Sequence, residues 1–305
     1  MSALQVPLTP SEALSGITGS ISLAAWIFLL VPQLVENYKQ ASADGISLTF
    51  LAVWFIGDVT NLAGALWAQL VPTVIALAIY FCFADLILIS QCVYYNVRNA
   101  RRQSKHSEVA VEPAQQPLLG RRDSENLGLP GSRRRSSTAS RRHRDGLDRP
   151  DGPSEHDEPA ASEWKKNTLS ILAICLAGAA GWAVAWATGV WRPVPLDQDT
   201  SGDEMALGAQ ILGYISAVCY LGARLPQIYK NWREKSCEGL SLLFFLLSLL
   251  GNLTYGMGIL FHSVEKEYFL KNLPWLIGSL GTMVEDVAIF FQFRIYGDKS
   301  KSAAV

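Results

Sequence analysis

The chain has 305 residues, half of them hydrophobic, and its 26 Lys and Arg nearly balance its 27 Asp and Glu. With no excess of either sign, nothing points to nucleic acid as a partner. The charge is not spread as on a soluble domain: long stretches carry almost none and residues 98–166 carry most of it, the pattern of apolar spans joined by wet loops.

A helix needs about 20 predominantly apolar residues to cross the hydrocarbon core. In chain order such spans are predicted near 16–36, 47–68, 72–95, 168–190, 207–229, 241–262 and 273–295. Ahead of the first, the only charge is Glu12, so no basic region marks a cleavable signal peptide, and the first helix is expected to stay. The fourth span is rich in Ala, Gly and Trp around Gly178 and Gly181, which suits close helix packing. Of the five cysteines, four lie in apolar runs and none forms a CxxC pair, so neither a disulfide framework nor a metal site is expected. No Ser/His/Asp set, metal triad or phosphate-binding loop appears, so no enzyme and no cofactor are expected.

Lys and Arg set the orientation. With the N-terminus lumenal, the cytosolic side holds Lys39, Arg98, Arg101, Arg102, Lys105, Lys165, Lys166, Lys230, Arg233, Lys235, Lys299 and Lys301; the opposite side holds Arg192, Lys266 and Lys271. The C-terminus is then cytosolic, as an odd number of spans requires. Residues 98–166, rich in Pro, Ser and charge without apolar periodicity, are expected to be a disordered cytosolic linker. Within it, Arg133-Arg134-Arg135 followed by Ser136 and Ser137 reads either as a phosphorylation site or as solvated charge. Pro117-Leu118-Leu119 has a dileucine look, but Glu112 lies too far upstream for the usual sorting signal. Cytosolic sorting or signalling partners would act through this segment.

The two halves of the chain match. Residues 30–47 read LVPQLVENYKQASADGIS and residues 224–241 read RLPQIYKNWREKSCEGLS. One displacement of 194 residues aligns Pro32 with Pro226, Gln33 with Gln227, Asn37 with Asn231, Gly45 with Gly239 and Ser47 with Ser241. It also aligns Gly19 with Gly213, Gly57 with Gly251 and Asp58 with Asn252. In the third span of each half the displacement becomes 201, pairing Asp85 with Asp286 and Gln91 with Gln292. Chance similarity between apolar runs does not put polar residues in register. The expected fold is therefore an all-α membrane protein with seven transmembrane helices: two parallel three-helix bundles joined by a linker helix, 3+1+3. The divisions are 1–97 for the first repeat, 98–166 for the linker, 167–206 for the linker helix with a lumenal loop, 207–297 for the second repeat and 298–305 for a cytosolic tail.

Pro32 falls about 24 Å along its span from Gly16, near the cytosolic end. A proline inside a helix removes a backbone hydrogen bond, giving either a static kink or a hinge. Gln33 and Gln227 either satisfy the freed backbone groups or line a path. Gly45 and Gly239 suit tight turns, and Ser47 and Ser241 suit caps of the next helix. Asp58, Asp85, Arg224, Glu285 and Asp286 sit inside apolar spans, where a charge faces a cavity or a partner. Asp58, about 16 Å past Ser47, is near the midplane. Asp85 and Asp286 are expected at equivalent depths, each after a loop proline, Pro72 and Pro274. Asp58, Asp85 and Asp286 are candidates for a substrate or proton path, with Asn61, Asn252 and Tyr255 as neutral candidates at the same level. The structural alternative is an ion pair such as Arg224 with Asp286.

The paired Pro-Gln motifs, each followed by Asn and then by Ser-x-x-Gly-x-Ser, resemble the PQ-loop family, and the second copy, through Phe244-Phe245 and Gly251-Asn252, is the closer match. Within that family the chain is similar to the fungal vacuolar basic amino acid transporters and the lysosomal cationic amino acid exporter. The resemblance covers the seven spans but not the linker. It implies multi-pass residence in a vacuolar or lysosomal lipid bilayer and alternating-access transport of a small cationic amino acid (Arg, Lys or His), with or without proton coupling. It also implies a hinge role for Pro32 and Pro226. Relatives on the same scaffold carry cystine or sugars, and a nutrient-sensing scaffold is a further alternative.

Overall fold

The computed structural model describes residues 8–41, 43, 48–109, 160–193, 207–237 and 242–302. Ser136, Ser137, the Pro117-Leu118-Leu119 motif, Gly45, Ser47, Gly239 and Ser241 lie outside the described residues. The described residues form seven helices and no strand: α1 (Pro10–Gln40), α2 (Leu48–Trp67), α3 (Pro72–Val109), α4 (Ala160–Ala187), α5 (Leu207–Glu234), α6 (Leu242–His262) and α7 (Lys266–Ser302).

Local chemistry explains where the boundaries depart from the hydropathy reading. α1 starts six residues before Gly16, because the Thr9 hydroxyl accepts a hydrogen bond from the Glu12 N–H and Pro10 stands at the first helical position. It stops at Ala41, which is left-handed at φ 47° and donates its N–H to the Tyr38 carbonyl. Lys235, at the equivalent place after α5, has φ 51°, so the two repeat copies end their first helix the same way. α3 runs past residue 97 to Val109 and α4 begins at Ala160, so both ends of the segment expected to be disordered are helical. Arg, Lys, Gln, Glu and Ala in those stretches are strong helix formers that simply prolong an existing helix. Pro274 is not in a loop: α7 begins at Lys266 and the proline lies inside it, fully buried, its ring against Gly213 of α5.

Six of the helices are long and apolar enough to cross a membrane; α5 falls short because Gln210, Arg224, Gln227, Lys230 and Asn231 interrupt its apolar run. Burial runs opposite to that of a soluble protein. Leu169, Leu176, Val218 and Phe83 are 64–71% exposed, whereas Asp58, Asp85, Arg224 and Asp286 are at most 3% exposed. An apolar exterior around a charged interior is what a bilayer solvent selects.

The main packing pairs are α1 with α6, α2 with α5, α5 with α7, α1 with α4, α2 with α3, α6 with α7 and α1 with α3. Exchanging α1–α3 with α5–α7 turns every pair into another of the set, apart from α1 with α4. α4 packs on α1, where Gly178 lies so close that a Cβ there would come within 2.6 Å of the Ile21 Cα. The two seams between the halves, α1–α6 and α2–α5, are equivalent by duplication but not in chemistry. Along α1–α6, Ser11 donates to the Phe261 carbonyl, Ser15 to that of Gly258 at 2.6 Å and Ser22 to that of Gly251 at 2.8 Å. The same seam carries Glu12 Oε1 3.0 Å from His262 Nδ1. On α2–α5 the counterpart of Ser15 is Ala209, that of His262 is Ala68, and Ser216, the counterpart of Ser22, turns back on its own helix to the Gly213 carbonyl.

Candidate functional site

Between the two halves lies a cavity of about 70 Å³, walled by α1, α2, α3, α5, α6 and α7. Its aromatic wall follows from two glycines. A Cβ on Gly57 would meet the Tyr220 ring at 3.1 Å, and a Cβ on Gly251 would meet Trp26 Nε1 at 2.6 Å. Gly57 and Gly251 are repeat equivalents, and so are Trp26 and Tyr220. In each half, then, a glycine on the second helix admits the aromatic side chain of the other half's first helix, and both rings reach the cavity.

Of the residues marked by the sequence, Asp58, Asn61, Asp85, Arg224, Asn252 and Tyr255 all line this cavity. Asp58 and Asp85 are neighbours on the cavity wall, near enough for each carboxyl to feel the other's charge. Asp58 Oδ1 also accepts from the Tyr220 hydroxyl at 2.8 Å, a bond that crosses the α2–α5 seam. Asp58 Oδ2 and Trp275 Nε1, both buried on the cavity wall, have no hydrogen-bond partner among the described residues. This acidic pole is the work of the first half; in the second, Asn252 replaces the acid equivalent to Asp58.

Asp286 does not line the cavity. It sits beside it, 1% exposed, with Oδ1 3.3 Å from Arg224 Nε and Oδ2 accepting from Ser248 Oγ at 2.5 Å. Ser248 Oγ in turn accepts from Arg224 Nη2 at 3.0 Å. The alternative in which Arg224 and Asp286 are an ion pair is therefore the geometry found, and Asp286 reaches the cavity only through Arg224. The physical reason lies one residue away from the repeat pattern: the position equivalent to Arg224 is Leu30, so Asp85 has no arginine to hold and turns to Asp58 instead. Glu285, on the neighbouring face, is half-buried and Asp286 buried, as adjacent helical positions about 100° apart require.

The Pro-Gln motifs stand away from the cavity. Gln33 and Gln227 are bonded elsewhere than to the carbonyls freed by Pro32 and Pro226, and neither is among the residues lining this cavity. Gln33 Nε2 donates to Asn37 Oδ1 at 3.0 Å, Asn37 Nδ2 to Gln91 Oε1 at 3.2 Å, and Gln91 Nε2 to the Leu34 carbonyl at 3.1 Å. The second half repeats the chain: Gln227 to Asn231 at 2.6 Å, Asn231 to Gln292 at 2.8 Å, and Gln292 to the Ile228 carbonyl at 3.0 Å. Asparagine one turn after glutamine puts both amides on one face, so the stretch following each proline is fastened to the third helix of its own half.

Sequence reasoning missed Tyr220 and Ser248. Tyr220 had a signal, its register with Trp26; Ser248 is a small polar residue in an apolar run, equivalent to Trp54, and gave none.

A model of the PQ loop repeat matches residues 14–74 and again 208–268, the two matches set apart by the same 194 residues. The vacuolar lysine transporter YPQ1 of Saccharomyces cerevisiae is 36% identical over 97% of this chain and 98% of its own length. The vacuolar histidine transporter YPQ3 of the same yeast is 34% identical over 94% of this chain and 93% of its own. The lysosomal amino acid transporter 1 homolog of Gallus gallus is 32% identical over 95% and 82%. With the motif found twice in register and likeness running nearly end to end, the chain belongs to the PQ-loop repeat family of membrane transporters.

Proposed function

We propose that this protein carries lysine, arginine or histidine across a vacuolar or lysosomal membrane by alternating access, its two three-helix halves rocking about the cavity and α4 linking them. All seven helices span the bilayer in this reading, with the N-terminus lumenal and the C-terminus cytosolic, as the Lys and Arg bias supports. The observation that carries the proposal is the Asp58–Asp85 pair, buried on the cavity wall between the halves with an oxygen left open. In a cavity whose one lining cation is already matched by Asp286, that pair gives the site a negative pole, which favours a cationic solute over a neutral sugar. Two carboxyls sharing a site can also hold a proton between them, which provides a route to proton coupling. The prolines 32 and 226 supply the flexible points, because each interrupts its helix just before a stretch fastened to the third helix. Ser136, Ser137 and the rest of the linker would serve sorting or signalling partners.

The test is flux into vesicles of the purified protein, comparing lysine, arginine, cystine and glucose at two lumenal pH values. Cationic amino acids are expected to move, and Asp58→Asn to reduce their flux by tenfold or more, about the worth of one charge-assisted contact. Equal flux of glucose, or full flux through Asp58→Asn, refutes the reading; no flux of any solute favours a sensing scaffold.

A further inference from the structure

Among the described residues lining the cavity, Arg224 is the one cation. Its guanidinium is clamped on one edge: Nε lies on Asp286, Nη2 donates to Ser248, and the rings of Trp54, Phe244 and Phe245 stand 6.0, 5.4 and 5.5 Å from Cζ. None of these polar contacts uses Nη1. A planar fork fixed at one edge and open at the other is prepared for a second carboxylate.

Two features set this apart from an ion pair that only holds helices together. The other half does without it, since Leu30 occupies the equivalent position and the same pair of helices packs there regardless. Arg224 also follows Tyr220 by one helical turn on α5, so the basic point stands one turn from the tyrosine whose hydroxyl meets the acidic pole at Asp58.

We propose that Arg224, steadied by Asp286 and Ser248, binds the α-carboxylate of the transported molecule, so that the cavity selects amino acids against amines carrying the same cationic tail. The inference rests on the proposed transport of cationic amino acids. An α-carboxylate taken into this cavity without Arg224 would be buried unpaired, which is costly. With Arg224 it is matched at one end while the Asp58–Asp85 pole takes the ammonium or guanidinium at the other. A diamine satisfies the acidic pole and leaves the fork open.

Equilibrium binding to the purified full-length protein tests this, with labelled lysine displaced by lysine, cadaverine or lysinamide. Cadaverine and lysinamide are expected to compete at least about tenfold more weakly than lysine, the discrimination typical of a site that pairs a polar group the analogue lacks. In the double variant Arg224→Gln/Asp286→Asn, which removes both charges and leaves a polar side chain at each position, lysine's advantage is expected to fall to within about threefold. If that variant does not fold, Arg224→Lys keeps the charge without the fork and is expected to lose most of the advantage. Equal competition by cadaverine in the unmodified protein, or an undiminished advantage in a folded variant, overturns the assignment. Lysine binding with discrimination but without flux would remove the transport reading and leave this one standing; no binding of labelled lysine, arginine or histidine removes both.

Discussion

Asn231 is the middle link of a buried amide chain, and replacing it by Ala tests whether that chain holds α5 to α7. Asn231 is 2% exposed, accepts from Gln227 at 2.6 Å and donates to Gln292 at 2.8 Å. The substitution leaves one donor and one acceptor without partners, each costing about 1–3 kcal/mol when buried. Interhelical hydrogen bonds in membrane proteins couple more weakly than that, by about 0.6 kcal/mol on average and about 1.7 at most. The expected loss for Asn231→Ala is therefore about 2–3 kcal/mol, with about 1 kcal/mol of it shared with Gln292. The assay is a double-mutant cycle of Asn231→Ala and Gln292→Ala, read as unfolding free energy in mild detergent. The equivalent cycle at Asn37 and Gln91, where the bonds are 3.0 and 3.2 Å, is expected to give a smaller coupling. Additivity of Asn231→Ala and Gln292→Ala within about 0.3 kcal/mol would refute the reasoning, since independent sites add to that precision.

Asp286→Asn alone is expected to destabilise more than Arg224→Gln/Asp286→Asn, because the single change strands a buried guanidinium at a cost of about 3–5 kcal/mol; melting temperatures of the two variants decide it. Gly251→Leu is expected to cost at least about 1–3 kcal/mol by driving into Trp26 and to reduce lysine binding as that ring moves, measured by thermal shift with and without lysine. Burial pushes the Cys237 thiol, in the turn after α5, up to about 11, so maleimide labelling there is expected to be slow at pH 7 and to rise about tenfold per pH unit until the thiolate predominates.

The fold was legible because duplication writes it twice. Polar residues held in register at a spacing of 194 say more than hydropathy, which alone stops at a polytopic membrane protein. The cavity was legible for the same reason: an acid, an amide or an arginine in an apolar run is rare enough to be seen, and five such residues meet there. What escaped depended on neighbours. Asp85 and Asp286 are equivalent in sequence yet differ in role, because Arg224 has no counterpart at Leu30. Gln33 and Gln227 face third helices whose displacement differs by seven residues, so their partners could not be read from one alignment. Pro274 passed for a loop residue because a proline early in a helix resembles one before it.

The unequal seams give the cavity's occupant a mechanical part. Along α1–α6 the halves are stitched by serines to backbone carbonyls, groups a solute in the cavity does not touch. Across α2–α5 the Tyr220 hydroxyl fastens the halves through Asp58, a carboxyl on the cavity wall. The first seam is a spine; the second is a clasp whose catch, in the proposed function, is also the seat of the cargo. Tyr220 holds Asp58 Oδ1 while Oδ2 stays open, so in the proposed function a cation loads at the free oxygen of the same carboxyl that fastens the seam.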